Sequence, residues 1–125
     1  MTMGDSLQEF ESLVVEALDG LPGEFLGALD NVEIVVEDEP TPGQLHRAGV
    51  RSGTLLGLYE GIPKTARNSG YGFVLPDKIS IFRGPISRHA AGPDDVRWMV
   101  RHTVMHELAH HFGISDQRLR EIGRY

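Results

Sequence analysis

The stretch from Gly92 to Gly113 constrains the fold more than any other part of this 125-residue chain. Pro93 and the two aspartates after it are typical of a helix start. Amide hydrogens in the first turn have no partner within the helix, so proline, which lacks one, is tolerated there. The positive end of the helix dipole favours the two carboxylates. Gly113 predicts a helix end just after Phe112, since glycine readily forms the C-terminal cap. The apolar residues of this helix occupy a broad arc: Trp98, Val104, Met105, Leu108, Ala109 and Phe112. We therefore expect a helix buried at the centre of the fold.

Three short segments have the composition of β-strands. Val32–Glu37 (VEIVVE) is rich in β-branched residues, and Thr54–Tyr59 (TLLGLY) is a second apolar run closed by glycine and proline. Lys78–Arg83 (KISIFR) alternates polar and apolar residues, which predicts a half-exposed strand. The proline-rich DEPTPGQ at 38–44 and the polar stretch 64–72 are expected to be loops.

Helical patterns are also present towards both ends of the chain. Near the N-terminus the apolar residues recur at helical spacing, and Ser6 with Glu9 fits a capping box. These apolar residues are Leu7, Phe10, Leu13, Val14, Ala17, Leu18 and Leu21. Shorter helices are expected over Ile86–Ala91 and Asp116–Ile122. Since no repeat or linker divides the chain, we expect one α+β domain over residues 1–125.

Composition argues against several classes of function. With no cysteine, the chain has no disulfide, thiol nucleophile or thiolate metal site, so any metal must be held by histidine, aspartate or glutamate. A net charge of −6 makes a poor general nucleic-acid binder, because phosphate contacts need clustered cations. No apolar run approaches the roughly 20 residues that cross a membrane. The acidic N-terminus is unlike a secretory signal, so we expect a cytoplasmic protein.

The central helix contains the sequence His106-Glu107-Leu108-Ala109-His110. Because four residues make slightly more than one helical turn, His106 and His110 project from one face and can share one tetrahedral zinc ion. Glu107 lies one step around the helix, where its carboxylate can take a proton from a water bound to the metal. This spacing is typical of two zinc ligands and a general base.

A third ligand is expected after the helix, at Asp116. Gly113 allows the chain to reverse, so that the Asp116 carboxylate can return to the metal. In a chain without cysteine, His106, His110 and Asp116 form the one obvious compact set for Zn²⁺, which leaves a position open for water. Asp116 could instead cap the terminal helix, and one carboxylate can also fill both roles.

The other histidines receive weaker predictions. His102 lies one turn before the first ligand and too far from the second to share one ion with both, so we expect it beside the ligands, buried, or at the rim as a donor. His111 points about 100° away from His110 and is expected to be structural or exposed. His46 and His89 could stabilise an oxyanion, although a solvated role is favoured.

The string HELAHHFGISD (HExxHxxGxxD) resembles the zinc-binding signature of the zincin metallopeptidases, in the metzincin-type variant where aspartate replaces a third histidine. More segments resemble the minimal zincin-like family of short, mostly bacterial proteins: Ile34–Pro40, Leu55–Pro63, Leu75–Ile86 and Val100–Leu119. The resemblance implies a small mixed β-sheet packed on the active-site helix, and the helical patterns described above add an N-terminal helix and a short C-terminal helix. It implies zinc ligands at His106, His110 and Asp116, and a catalytic acid/base at Glu107. The methionine turn of larger metzincins has no counterpart after Asp116.

Three functions fit these predictions. The first is a zinc-dependent peptidase in which Glu107 moves a proton from water to the leaving amine, with a peptide or protein substrate along a sheet edge. We predict Lys78–Arg83 as that edge strand. Candidates for stabilising the oxyanion are Arg83, His89, His102 and Tyr125. The second function is a zinc-binding module for protein interaction without proteolysis, and the third is a zinc hydrolase of small amides or esters. No nucleic-acid or membrane partner is expected.

Overall fold

The computed structural model describes residues 3–61, 77–112, 117, 120 and 121. The described helices and strands are arranged around one sheet. In chain order the elements are α1 (Met3–Asp19), α2 (Gly23–Ala28), a 3₁₀ turn (Leu29–Asn31), β1 (Val32–Glu37), α3 (Pro42–Arg47), β2 (Gly57–Glu60), β3 (Asp77–Phe82), α4 (Arg83–His89) and α5 (Pro93–Phe112). The fold is mixed α+β, as predicted.

The described strands form one three-stranded mixed sheet in the order β1-β3-β2. β1 runs parallel to β3, with Ile34 opposite Ile79, and β2 runs antiparallel to β3, with Tyr59 opposite the same Ile79. β1 has the predicted bounds, because a β-branched run closed by a proline-rich turn is a strong local signal. β2 begins three residues later than the predicted strand at Thr54.

The prediction that Lys78–Arg83 forms a half-exposed edge strand is wrong. β3 is the central strand, paired on both sides, and all its residues except Lys78 are buried. Its polar positions are satisfied inside the sheet, since the Ser80 hydroxyl donates to the Glu37 carboxylate. In β3 the polar Ser80 of the alternating pattern is therefore buried and hydrogen-bonded, and the pattern does not mark a solvent-exposed face.

Helix α5 packs against both α1 and β2, and so occupies the centre of the fold. Val100, Val104 and Leu108 of α5 are completely buried. Trp98, predicted in the buried arc, is 42% exposed, because α1 and the sheet cover other faces of the helix. Helix α1 buries Phe10, Val14, Ala17 and the following Leu21 as predicted. It begins at Met3, so the predicted N-cap at Ser6 is wrong.

Helix α3 lies partly in the stretch predicted to be loop. Thr41 Oγ1 accepts a hydrogen bond from the Gln44 amide at 3.1 Å, and Gln44 Oε1 accepts one from the Thr41 amide at 2.9 Å. This reciprocal capping box offsets the low helix propensity of the Pro-Gly pair that opens the helix. Helix α4 also begins three residues before the predicted start at Ile86. The described helices include none with the length and apolar character that a membrane span requires.

Of the predicted terminal helix, Gln117, Arg120 and Glu121 are helical, while Asp116 and Ile122 lie outside the described residues. The predicted loop at 64–72 and the predicted helix cap at Gly113 also lie outside them.

Candidate active site

Helix α5 carries the two histidines predicted as metal ligands on one face. The ring centroids of His106 and His110 are 6.1 Å apart, with an interplanar angle of 31°. Two imidazoles on one tetrahedral zinc ion would have centroids about 5 Å apart, given Zn–N bonds of about 2.0–2.1 Å. Small side-chain rotations close this difference, so the pair fits a shared divalent ion. His106 is half-buried and His110 is exposed.

Asp116, the predicted third ligand, lies outside the described residues. Within the described part of the chain, no group of three or more histidine, aspartate or glutamate side chains could hold a metal ion. The set of ligands His106, His110 and Asp116 therefore stays a prediction. The structure describes the positions of the two histidines.

The carboxylate of Glu107 is held by the main chain of the neighbouring strand. The Tyr59 amide of β2 donates to Glu107 Oε1 at 2.7 Å, across 48 positions of sequence. A hydrogen bond from an amide to an ionised carboxylate is about twice as strong as one between neutral groups. Glu107 is half-buried, so this contact fixes one carboxylate oxygen at a defined point beside the helix.

Strand β2 reaches the helix because Gly57 has no side chain. A Cβ at this position would lie 2.5 Å from Thr103 Cγ2 and 2.9 Å from the Ser80 carbonyl oxygen. Such separations are far below van der Waals contact, so the approach of β2 to α5 depends on glycine. The same approach carries the amide of Tyr59 to Glu107.

A cavity of about 260 Å³ opens between the start of β2 and helix α5. Its lining residues are Thr54, Leu55, Leu56, Gly57, His102, Thr103, His106 and Glu107. The cavity therefore places one predicted ligand and the predicted general base in the wall of a single cleft. Its opposite wall is the chain segment that leads into β2.

His102 lies beside the predicted ligands, as expected, and lines the cavity with His106. Its ring stacks on Trp98 with centroids 4.7 Å apart, and lies 4.4 Å from the His106 ring at a tilt of 48°. Burial, together with the nearby His106, holds the pKa of His102 below its ordinary value. This lowered pKa favours the uncharged form of the His102 imidazole beside the predicted ligands.

His111 and its surroundings are the part of the site that the sequence did not indicate. The His111 ring stacks on Tyr59 with centroids 4.0 Å apart and an interplanar angle of 16°. The Tyr59 hydroxyl donates to Asp77 Oδ2 at 2.5 Å, and His111 Nε2 lies 3.7 Å from the same oxygen. The prediction that His111 is structural or exposed holds in both senses, since its side chain is 41% exposed.

Arg83 and His89, two other oxyanion candidates, have contacts elsewhere. Arg83 donates two hydrogen bonds to one oxygen of Asp38, from Nε and Nη2 to Oδ1 at 3.0 and 2.8 Å. His89 is exposed at the end of α4, with Nδ1 2.7 Å from the Pro85 carbonyl oxygen. Tyr125 lies outside the described residues.

Comparison with known proteins gives the family of the chain. Residues 29–124 match the family described as Zincin-like metallopeptidase, which covers most of the chain. The chain belongs to this zincin-like family. No curated protein gives a significant match.

A solved structure has a similar fold. It is a conserved hypothetical protein from Thermo thermophilus, with 26% sequence identity and a TM-score of 0.55. The match covers 86% of this chain and 94% of that protein. The small mixed sheet and the long helix α5 packed against it are consistent with the zincin-like fold.

Proposed function

We propose that this chain is a zinc-dependent peptidase, with His106, His110 and Asp116 as metal ligands and Glu107 as the general base. The observation that carries the proposal is the position of Glu107. Its carboxylate lies next to the His106–His110 face of α5, in the wall of an open cleft, with one oxygen held by the Tyr59 amide. Family membership supports zinc hydrolase chemistry at a coarser level.

The described donors suit zinc, since imidazole nitrogens are among its preferred ligands. A bound zinc ion would polarise the scissile carbonyl and increase the acidity of the attacking water. Glu107 accepts a proton from that water while the oxygen of the water bonds to the carbonyl carbon. The protonated carboxyl then donates this proton to the leaving nitrogen as the C–N bond breaks. Glu107 thus returns to the carboxylate form.

Among the strands that the structure describes, β2 forms the sheet edge that faces the cleft, and it replaces Lys78–Arg83 in our interpretation of substrate binding. The Tyr59 amide already donates to Glu107 and is not available to a substrate. An added peptide strand would therefore form hydrogen bonds with the backbone of residues 54–57, which precede Tyr59. That segment lines the cleft opposite His106. The proposed substrate is therefore an extended peptide or an exposed segment of a protein.

The test is to measure zinc content and hydrolysis of a mixed peptide library for wild type, Glu107→Gln and Glu11→Gln. Glu11 is an exposed carboxylate on α1, so Glu11→Gln is a control for loss of one charge. We expect about one zinc per chain in all three, with hydrolysis lost in Glu107→Gln alone. Equal hydrolysis by wild type and Glu107→Gln would reject the role of Glu107.

Other outcomes would favour the remaining functions. Cleavage of small amides or esters without peptide cleavage would indicate a small-molecule hydrolase. Zinc binding with no hydrolysis of either substrate class would indicate a metal-binding module for protein interaction.

A further inference from the structure

Tyr59 contacts three chemically active side chains through three different groups. Its main-chain amide donates to Glu107 Oε1 at 2.7 Å, and its hydroxyl donates to Asp77 Oδ2 at 2.5 Å. Its ring lies against the ring of His111, nearly parallel, with centroids 4.0 Å apart. One residue of β2 therefore connects the predicted general base with a buried carboxylate and with the next turn of α5.

The contact with Asp77 is built into the sheet. Tyr59 lies opposite Ile79 in the antiparallel β2–β3 pair, and Asp77 lies two residues before Ile79 on the same face of β3. This diagonal arrangement is within reach of a long aromatic side chain. Asp77 is only 8% exposed, so its carboxylate needs a hydrogen-bond donor, and the Tyr59 hydroxyl supplies one.

The contacts with Glu107 and His111 involve one stripe of helix α5. These two residues are four positions apart and so lie one above the other on the same face. Tyr59 contacts Glu107 through its backbone amide and His111 through its ring. Two contacts at successive turns fix both the distance and the rotation of β2 relative to the helix, which one contact would not do.

We propose that Tyr59 is the positioning residue for Glu107. Its anchors on Asp77 and His111 hold the edge of β2 where the Tyr59 amide binds Glu107 Oε1, and this directs Oε2 towards the cleft. The inference rests on the proposed function in one respect, that Oε2 is the atom that accepts the proton. The geometric part, that Asp77 and His111 determine the bond between the Tyr59 amide and Glu107, is independent of any activity.

The deciding experiment is amide NMR on the zinc-loaded, ¹⁵N-labelled full chain. Glu107→Gln should move the residue-59 amide proton upfield, because the acceptor loses its charge, and so identify the bond. Tyr59→Phe keeps the ring on His111 and removes only the hydroxyl. We expect it to move the same amide proton upfield and to raise its hydrogen-exchange rate about tenfold or more, the range for weakening a hydrogen bond to a charged group.

Asp77 provides a graded second set of variants. Asp77→Ala should reproduce the effect of Tyr59→Phe, whereas Asp77→Asn, which keeps an acceptor oxygen, should restore part of it. Ser80→Ala is the matched control, because it also removes a hydroxyl–carboxylate hydrogen bond from β3, but one made to Glu37 on the β1 side. It should lower stability without a selective change at the residue-59 amide.

Kinetics give a further readout. On a cleaved peptide, Tyr59→Phe should lower kcat more than it changes KM, because the lost anchor lies next to Glu107, whereas the proposed substrate contacts lie further along the chain at 54–57. A residue-59 amide unchanged in Tyr59→Phe and Asp77→Ala, or changed equally in Ser80→Ala, would overturn the positioning role. A wild-type chain that cleaves no peptide would reject the proposed function alone, and the amide measurements would still decide the positioning role.

Discussion

Gly57 of β2 and Thr103 of α5 approach so closely that no side chain fits between them. A Cβ at position 57 would lie 2.5 Å from Thr103 Cγ2 and 2.9 Å from the Ser80 carbonyl oxygen. We expect Gly57→Ala to destabilise the fold by about 1–3 kcal/mol, because an extra methyl in a packed contact forces backbone shifts. The same shift would move the Tyr59 amide away from Glu107. Urea-induced unfolding measures the loss of stability.

Gly27→Ala is the matched control for this substitution. It adds the same methyl within helix α2, where nothing lies within 4 Å of the new Cβ. There we expect a neutral effect or a gain of up to about 1 kcal/mol, since alanine favours helix more than glycine. Adding Thr103→Ser to Gly57→Ala removes one of the two close contacts and should restore part of the stability. A Gly57→Ala chain as stable as wild type would contradict the close approach.

Zinc should stabilise the fold through His106 and His110 but not through His111. A ligand that binds the native state at 100 times its Kd adds about 2.7 kcal/mol to the free energy of unfolding. We expect Zn²⁺ to raise Tm in wild type and in His111→Ala, and to have no such effect in His106→Ala or His110→Ala. Thermal unfolding with Zn²⁺ and with a chelator measures this. A Tm rise that persists in His106→Ala would exclude this residue as a ligand.

Local signals explain the elements that the sequence predicted well. The bounds of β1 follow from a β-branched run, and the start of α5 follows from Pro93. The central place of β3 could not be read, because strand order depends on pairing between distant segments. Ser80 shows why: its hydroxyl resembles a solvated position in the sequence, but its acceptor, Glu37, lies 43 residues earlier.

The candidate site also has features that local sequence predicts and features that depend on distant residues. The spacing of His106, Glu107 and His110 predicts their common helix face, since helical geometry is regular. The partner of Glu107 could not be predicted, because the Tyr59 amide lies 48 residues away and any residue has such an amide. The available signal was Gly57, a glycine inside a predicted strand, which often marks a close approach of two backbones.

Trp98, the one tryptophan of the chain, should report metal binding through His102. The His102 ring lies between Trp98 at 4.7 Å and His106 at 4.4 Å, measured between ring centroids. Fixing His106 on a metal changes the contact that His102 makes with the indole. We therefore expect tryptophan emission to change on titration with Zn²⁺ and to level off at about one equivalent.

Three variants check this coupling. The emission change should be lost in His106→Ala and much reduced in His102→Ala, which keeps the predicted ligands. His89→Ala removes an exposed imidazole on α4 and should leave the change intact. An emission change of wild-type size in His102→Ala would show that the signal does not pass through the His102 ring.

Glu60 at the end of β2 holds helix α3 through charged and polar contacts. Its carboxylate accepts hydrogen bonds from Gln44 Nε2 at 3.1 Å and Arg47 Nη2 at 2.9 Å, and Lys78 Nζ lies 3.8 Å away. Burial raises the pKa of Glu60, but the Gln44 and Arg47 hydrogen bonds and the Lys78 charge together outweigh it. The pKa of Glu60 therefore lies below its ordinary value of 4.5.

A carboxylate with a lowered pKa stabilises the folded state above its unfolded-state pKa, and this stabilisation is lost as the pH falls through the folded-state pKa. Glu60→Gln keeps an acceptor oxygen and removes the charge. We expect it to cost about 0.5–1 kcal/mol at pH 7, since Arg47 is largely exposed. Unfolding in urea should show this difference shrinking below pH 4.5. Glu33→Gln, on the exposed side of β1, controls for net charge, and an equal loss in both variants would contradict the role of these contacts.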